Sequence, residues 1–290
     1  MKPAAAGRKL RVGLTDPEGP LARHLRDVFA ESGLLVSRFV PIGTEPEAGT
    51  LRPGQDEPEI VVPPARETIG DLDLLVLAGS PVDDEARRIA KENDVSIWDA
   101  GENPPAGFGC AAILGAAAPE SAVFTLLVPA AEEGTPGIQE LFRQTGDALN
   151  FHDTEAAVFG GRLAFNLFRD SRSDALAARI EAQLGRLYPS SPAVVVAARA
   201  ALFHGYAGTA VFRFGDPGAA ERAAARLREA PGISAERKRG SSPAAAVEKS
   251  GVLIDSPAVH GDTVTAWFAF DGLALAAENV LELARRISEK

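Results

Sequence analysis

The first third of the sequence alternates short apolar segments with amphipathic ones, and this alternation restricts the fold more than any other feature. We predict strands at LRVGLT (10–15), LLVSRFVPI (34–42), DLDLLVLAG (71–79) and VSIWDA (95–100). Between them we predict the helices LARHLRDVFAESG, ended by Gly33, and DDEARRIAKEND, with acids in its first turn. Such alternation favours a parallel sheet with right-handed crossovers. We therefore predict an α/β fold with a Rossmann-like domain over residues 1–120, an architecture that does not by itself establish a bound nucleotide.

Longer strands dominate the sequence from about Ser121. We predict strands at AVFTLLVPA, AVVVAARAALF, GTAVFRF and TVTAWFAF, and helices at GIQELFRQTG and DALAARIEAQLGRLY. Long strands beside helices are typical of an antiparallel-rich α+β domain, which we place at residues 121–270. The last helix, LALAAENVLELARRISEK, has a continuous apolar face, and we expect segment 271–290 to pack back on the N-terminal domain.

Charge and cysteine content restrict the partners. A net charge of -10 argues against nucleic acid and anionic membranes, which bind basic surfaces. The single cysteine, Cys110, excludes internal disulfides and cysteine-cluster metal sites. We expect a cytoplasmic protein, since the N-terminus lacks the apolar core of a secretory signal and no apolar run is long enough to span a bilayer. The basic cluster Arg237, Lys238 and Arg239 lies in a polar segment and is interpreted as a solvated surface.

Four segments follow the order of motifs in one enzyme family. GIQELFRQTG resembles a helix ending E-L-L-x-Q-T, and RLAFNLF (162–168) resembles I-A-F-N-V. AVVVAARAALFHGYAGTAVFRF (193–214) resembles a segment with R-V-P-V-F-Y-G-H-S, and WFAFDGLALAAENV resembles W-V-V-A-D-N-L-R-K-G-A-A-x-N. The family is that of aspartate-semialdehyde dehydrogenases, and the resemblance is closer to its degenerate USG-1-type paralogues. It covers nearly the whole chain and implies a fold for binding NADP, an α+β dimerisation domain, a homodimer and a place in amino-acid biosynthesis.

The resemblance implies that Arg199 corresponds to the family's substrate-binding Arg, which a general-base His follows seven residues later. That later position is Tyr206 here. A Tyr with a pKa of about 10 stays protonated at neutral pH and cannot accept a thiol proton as an imidazole can. The nearest imidazole is His204, which either packs at the strand end or substitutes for the base. An odd separation puts Arg199 and Tyr206 on opposite faces of a regular strand, so only a bulge or turn near Gly205 could bring both into one site.

The family mechanism implied by the resemblance is nucleophilic. A Cys thiolate attacks an aldehyde, hydride passes to NADP, and phosphate releases the acyl group. The family's Cys lies in a motif resembling P-N-C-S-T, whereas this region is GENPPAGFGCAAILGAAAPE. The neighbours Gly109 and Ala111 supply no charge to lower the pKa of Cys110. Cys110 is therefore either a small buried or loop cysteine, or a displaced nucleophile.

The phosphate-binding loop has also changed. The family's G-x-x-G-x-x-G pattern retains Gly19, but Asp16 stands at its first position. Asp16 and Glu18 place negative charge where a pyrophosphate would lie. We therefore predict no cofactor, or NADP if the protein is active, and Gly19 is either a remnant of the cofactor site or a turn before a helix. Near the C-terminus, Gly272 and Ala274 replace the Asn and Arg of the family's D-N-L-R.

Two polar positions of the family's substrate site are retained. Glu181 lies 18 residues before Arg199, the spacing at which the family places a substrate-binding Glu, while the accompanying Lys is Leu184 here. A carboxylate for an amino group and a guanidinium for a carboxylate would form a clamp for an amino acid or small anion. Alternatively, Glu181 and Arg199 form a structural ion pair.

Three hypotheses account for this pattern of retained and lost residues. The first is a non-catalytic semialdehyde dehydrogenase-like protein that acts as a dimeric binding, regulatory or scaffolding protein. The second is an active NADP-dependent semialdehyde dehydrogenase in which Cys110 and His204 have taken over. The third is a divergent enzyme that uses Arg199, Glu181 and Tyr206 without a cofactor, although the sequence offers no metal constellation or hydrolytic triad for it.

Overall fold

The computed structural model of the protein describes residues 8–52, 58–235, 240–247 and 249–289. The chain divides into two compact units, one of residues 1–103 with 276–290 and one of residues 104–275. The sequence placed the boundary after residue 120, and the division differs by one helix, which packs in the core of the second unit. The basic cluster Arg237, Lys238 and Arg239 lies outside the described residues.

The first unit is built on a parallel sheet. Its elements are β1 (Leu10–Thr15), α1 (Pro20–Glu31), β2 (Val36–Ile42), β3 (Leu51–Arg52), β4 (Glu59–Ile60), α2 (Arg66–Ile69), β5 (Leu74–Leu77), α3 (Asp83–Glu92) and β6 (Ser96–Asp99). The strand order is β2-β1-β5-β6 with every pair parallel, while β3 and β4 form a separate antiparallel pair. All four residues of β5 are fully buried, as expected for a strand covered on both faces.

The second unit is built on an eight-stranded mixed sheet. Its elements are α4 (Pro105–Ala117), β7 (Ser121–Val128), α5 (Gly134–Leu149), β8 (Leu167–Phe168), α6 (Ser171–Leu187), β9 (Ala193–Ala200), β10 (Tyr206–Arg213), α7 (Pro217–Glu229), β11 (Ile233–Ala235), α8 (Pro243–Ala246), β12 (Val252–Ile254), β13 (Ala258–His260) and β14 (Thr263–Phe270). The order is β11-β12-β14-β10-β7-β9-β8, with β13 also paired to β14. A parallel sheet followed by a second mixed sheet confirms the predicted fold class.

The last helix, α9 (Gly272–Ser288), is grouped with the first unit from Ala276 onward. There the indole nitrogen of Trp98 on β6 donates a hydrogen bond of 2.9 Å to the Asn279 side chain. Across the described residues, no helix is both long and apolar enough to cross a membrane.

Neighbouring parallel strands set the position of the polar cluster in the second unit. β7 and β9 run parallel, with Val128 paired to Arg199 at their carboxyl ends. β10 lies on the other side of β7 and runs antiparallel to it, so its first residue, Tyr206, lies at the same edge of the sheet. The segment that follows Val128 therefore lies where Arg199 and Tyr206 can both reach it.

Three helices of the second unit, α4, α7 and the four-residue α8, were not predicted from the sequence. α4 is apolar all round, with Ala106, Cys110 and Leu114 fully buried, so it has no amphipathic period to recognise. α7 did have a signal, because Asp216 accepts a 2.8 Å hydrogen bond from the Ala219 backbone and a proline follows at the first helical position.

We predict that Gly109→Ala destabilises the second unit. A Cβ at Gly109 would lie 2.5 Å from Cγ of Phe270 and closer still to two other carbons of this fully buried ring. Overpacking of this kind costs about 1–3 kcal/mol in the free energy of unfolding, measured by urea denaturation. The control Gly146→Ala, in a helix with nothing within 4 Å of the new Cβ, should stabilise the protein by about 0.5–1 kcal/mol. Equal effects of the two substitutions would contradict this packing.

Candidate functional site

Arg199 lies at the carboxyl end of β9 and is only 2% exposed. Its Nε donates to Asp170 Oδ2 at 2.7 Å and its Nη2 donates to Glu133 Oε1 at 2.5 Å. The guanidinium carbon also lies 5.5 Å from the centre of the Phe159 ring, within cation–π range. The charge of this buried guanidinium is therefore balanced by two carboxylates of the same chain.

Asp170 has two structural roles. Its Oδ1 caps α6 by accepting from the backbone nitrogen and hydroxyl of Ser173 at 2.8 and 2.7 Å, while its Oδ2 accepts from Arg199. Burial alone would raise the pKa of Asp170, but the hydrogen bonds from Arg199 and Ser173 and the charge of Arg199 outweigh it and lower the pKa to about 2. The carboxylate is therefore fully ionised at neutral pH.

Glu133 ends the short 3-10 turn that follows β7. Its Oε2 is 2.7 Å from Nη1 of Arg172 on α6, so its two oxygens bind two different arginines. The next residue, Gly134, has φ 65° and ψ -156°, a conformation that glycine alone adopts readily. This backbone turn starts α5 and fixes Glu133 between the two guanidinium groups.

Tyr206 contacts Glu132, the residue that precedes Glu133 in the chain. The Tyr206 hydroxyl donates a short hydrogen bond to Glu132 Oε2, and its ring stacks on Phe270 with centroids 5.2 Å apart. Burial raises the pKa of Tyr206 well above its usual value, and the charge of Glu132 adds to this effect. Burial likewise raises the pKa of Glu132. The neutral, protonated form of Tyr206 is therefore favoured in this environment.

A turn brings Arg199 and Tyr206 to one cluster. β9 ends at Ala200 and β10 begins at Tyr206, and Gly205 just before it has φ 75°. A Cβ at Gly205 would lie 2.8 Å from the Pro243 carbonyl oxygen, so the turn requires glycine on both conformational and steric grounds. A turn is therefore present near Gly205, as the odd spacing of Arg199 and Tyr206 requires if both are to reach one site. The consecutive residues Glu132 and Glu133 contact Tyr206 and Arg199, respectively, and so join them in one cluster.

A cavity of about 300 Å³ opens beside this cluster within the second unit. Its lining residues are Val128, Glu132, Glu133, Arg172, Ser173, Ala175, Leu176, Arg179 and Arg199. Arg179 is 3.6 Å from Glu132, and the side chains of Arg172 and Arg179 are 50% and 45% exposed. The volume is at the lower end of small-molecule sites, and the lining combines apolar surface with acidic and basic side chains.

The structure does not bring Glu181 to Arg199. Glu181 Oε1 accepts a 2.7 Å hydrogen bond from the backbone nitrogen of Val195, four residues before Arg199 and thus roughly 13 Å from it along the strand. Glu181 holds α6 to β9, and Arg199 has other partners. Within the described ranges these two residues form neither the amino-acid clamp nor the ion pair that the sequence suggested. His204 is exposed in the turn before β10.

Cys110 lies in α4 and is fully buried in the apolar core of the second unit. Burial raises the pKa of its thiol to about 12. Of the two interpretations from the sequence, the buried cysteine describes this environment. No group of three or more His, Cys, Asp or Glu residues in the described part of the chain could hold a metal ion.

The loop before α1 contains an acidic side chain, Asp16, close to Gly19. Gly19 N donates to the Asp16 carbonyl at 2.9 Å, and the Asp16 carboxylate fills the space beside Gly19 where a Cβ would lie. Asp16 has φ 50°. The pKa of its carboxyl is raised first by partial desolvation and then by the charges of Glu47, Asp83 and Glu18. The start of this helix therefore already carries a negative charge of the chain itself.

The sequence interpretation missed Glu132, Glu133, Asp170 and Arg172. The two glutamates follow one residue after the predicted strand AVFTLLVPA, and charged residues at the carboxyl ends of neighbouring parallel strands meet at one edge of a sheet. The pairing of this strand with the one before Arg199 was the information that the sequence lacked. Asp170, followed by a serine-rich helix start, was recognisable as a cap.

We predict that Arg199→Met destabilises the protein by about 3–5 kcal/mol at pH 7, because it leaves Glu133 and Asp170 without their buried cation. The control Arg169→Met removes an exposed pair with Asp174 and should cost about 0–1 kcal/mol. Urea unfolding measures both.

The contribution of the Asp170 carboxylate to the free energy of unfolding should decrease at acidic pH. Since the pKa of Asp170 is lowered to about 2, against about 3.9 in an unfolded chain, its stabilisation is complete above about pH 4 and is lost as the pH falls toward 2. The difference between wild type and Arg199→Met should shrink over that range. If wild type and Arg199→Met had nearly the same free energy of unfolding at pH 7, Arg199 would not be needed for stability and would be available for an external ligand.

Solved structures share this fold at low sequence identity. Aspartate semialdehyde dehydrogenase II from Vibrio cholerae aligns with a TM-score of 0.81 and 18% identity over 96% of this chain and 99% of that one. A probable aspartate-semialdehyde dehydrogenase from Pseudomonas aeruginosa gives a TM-score of 0.83 and 18% identity, over 97% of this chain and 98% of that one. The enzyme from Francisella tularensis gives a TM-score of 0.73 and 12% identity, over 95% of this chain and 100% of that one.

No protein-family model and no curated protein matches the sequence. The similarity to solved structures covers both units and spans nearly the full length of each chain compared. At identities of 18% and below, this likeness is one of fold. The chain has the fold of the aspartate-semialdehyde dehydrogenases.

Proposed function

We propose that the protein is a non-catalytic, degenerate relative of the semialdehyde dehydrogenases that acts as a homodimeric binding, regulatory or scaffolding protein. The observation that supports this most strongly is the environment of Cys110. It is the only cysteine of the chain, it is fully buried, and its pKa is raised to about 12. A nucleophilic thiolate needs access to substrate and a lowered pKa, and Cys110 has neither.

Two further environments support the absence of dehydrogenase chemistry. Tyr206, at the position that the resemblance assigns to the general base, already donates a hydrogen bond to Glu132. In the first unit, the Asp16 carboxylate lies beside Gly19, and Glu47 and Asp83 add negative charge around it. We therefore propose that the protein works without NADP, since a dinucleotide would bring its own negative charges to this loop.

We predict that iodoacetamide labels Cys110 of the native protein at pH 7 far more slowly than it labels a free thiol. The neutral, buried thiol has little thiolate and no access to the reagent. The same protein in concentrated urea is the control and should react at the rate of an ordinary cysteine, which shows that the residue itself is competent. Native labelling faster than a free thiol would restore the alternative of an active dehydrogenase with a displaced nucleophile.

The homodimer proposal rests on the outer face of the mixed sheet. Val123, Val194 and Val211 are 43%, 56% and 38% exposed, and their strand pairing places them in one row across β9, β7 and β10. Thr125 and Thr209 pair directly and extend the same face. A row of exposed β-branched residues is typical of a protein contact, and a second copy would supply a surface of the same character.

We predict that the wild type has twice the chain mass of 30.3 kDa in light scattering at micromolar concentration. Val211→Asp should shift the protein to a monomer, because it places a negative charge in the row of exposed valines. Leu51→Asp is the matched control, since it adds the same charge at a residue 66% exposed in the first unit, and it should remain dimeric. A monomeric wild type would reject the dimer.

A further inference from the structure

Two phenylalanines of the second unit combine a left-handed backbone with an exposed side chain. Phe151 has φ 58° and Phe165 has φ 57°, and the two residues are 97% and 67% exposed. A left-handed backbone brings Cβ close to the following carbonyl oxygen, so it is unfavourable for a bulky residue and is usually adopted by glycine. An exposed phenyl ring gains little from packing within its own chain. The isolated chain therefore does not explain why phenylalanine stands at these two positions.

The end of α5 shows why glycine would suit the first position. The Phe151 N–H donates to the Ala148 carbonyl at 3.3 Å, and the His152 N–H donates to the Asp147 carbonyl at 2.9 Å. This pair of hydrogen bonds is the Schellman arrangement of a helix C-terminus, in which the left-handed residue is usually glycine. Phe151 occupies the place of that glycine.

Phe165 lies in a turn that is fixed to α5. The Asn166 N–H closes this turn on the Leu163 carbonyl at 2.9 Å, which makes Phe165 its third residue, a position where a left-handed backbone favours glycine or asparagine. Leu163 N and Ala164 N donate to the buried side chain of Gln144 on α5 at 2.7 and 3.2 Å. The turn is thus held in place, so covering its exposed ring with a partner costs little additional ordering.

Further exposed apolar residues lie on α5 and at the start of β8. Leu149 is 65% exposed and precedes Phe151 by two residues, and Phe142, which is 73% exposed, lies two turns earlier on the same face of α5. Leu167 is 55% exposed and follows Phe165 by two residues. Exposed apolar residues grouped in this way mark interaction sites. We call these residues the aromatic patch: Phe142, Leu149, Phe151, Phe165 and Leu167.

Leu167 joins the aromatic patch to the outer face of the mixed sheet. It pairs with Ala200 of β9, and directly paired residues point to the same face of a sheet. Ala200 and Val194 are six positions apart on β9, so they also share a face. Leu167 therefore extends the face that carries the row of exposed valines.

The row of exposed valines is small for a dimer contact. A stable interface buries about 800 Å² per partner, whereas one buried phenylalanine contributes about 150–250 Å². We propose that the aromatic patch is the second part of the homodimer contact and packs against a second copy of this chain. This inference rests on the homodimer of the proposed function. Each copy has a net charge of -10, so two copies associate most readily through uncharged surfaces such as this one.

The test uses Phe151→Gly and Phe165→Gly, for which two effects of opposite sign are expected. Glycine relieves the left-handed conformation, so each variant should melt above wild type at concentrations where the protein is monomeric. Glycine also removes a contact with the partner, so each variant should weaken the dimer by about tenfold or more in sedimentation equilibrium. Because dimerisation stabilises wild type more as concentration rises, the gain in melting temperature should shrink or reverse at high concentration.

Asp94→Gly is the matched control. Asp94 is an exposed residue with φ 55° after the end of α3, where Val95 N donates to the Ala90 carbonyl at 3.0 Å in the same helix-ending arrangement. Its replacement should raise the melting temperature at every concentration and leave the dimer unchanged.

The outcomes separate this inference from the proposed function. Phenylalanine variants that dimerise as tightly as wild type, while Val211→Asp is monomeric, would overturn the aromatic patch and leave the contact through the valines. Dissociation by the phenylalanine variants but not by Val211→Asp would support the patch and reject the valine contact. A monomeric wild type would overturn both.

Discussion

The parallel pairing of β7 with β9 is the constraint on which the polar centre of the second unit depends. It places Val128 opposite Arg199, so the chain that leaves β7 passes directly beside a guanidinium that is 2% exposed. A buried cation is tolerated only with anionic partners, and Glu133 and Asp170 supply them from the starts of α5 and α6. One ion cluster therefore connects two strands with the beginnings of two helices.

A similar arrangement occurs in each unit, where a carboxylate of the chain lies beside groups that favour negative charge. In the first unit the Asp16 carboxylate lies beside Gly19 at the start of α1, where the helix dipole and free backbone N–H groups favour negative charge. In the second unit Glu133 lies between Arg172 and Arg199. Both acids are held by local backbone turns with positive φ, at Asp16 itself and at Gly134. An external anion would have to displace a tethered one in either place.

The sequence predicted the architecture well because local patterns determine most of it. The buried strands β1 and β5 and the helix α3 appear where the apolar runs and the charge order placed them. α4 escaped prediction because a helix buried on all sides has no polar face, and its Gly and Pro content favours a loop. Such a helix is defined by the core around it, and that core is formed by residues distant in the sequence.

The candidate site was predictable only in part, for the same reason. Arg199 and Tyr206 were identified from the resemblance, and the turn at Gly205 followed from their odd spacing. Their partners were not identified, because Glu132 and Glu133 lie more than sixty positions away in the sequence and meet them only through the strand order β10-β7-β9. Spacing along one segment can locate a cation, but it cannot show which acid balances that cation. That assignment requires the strand order.

The internal pairing of these groups also bears on why the fold would persist without chemistry. Active-site polar groups cost stability when they must face a substrate instead of each other. Here Arg199 binds Glu133 and Asp170, and Tyr206 binds Glu132 and stacks on Phe270. Under the proposed function, residues that once faced a ligand now hold the ends of β9 and β10 to the turn after β7. Substitution of these residues would then destabilise the second unit. Selection for the fold alone is therefore sufficient to retain them.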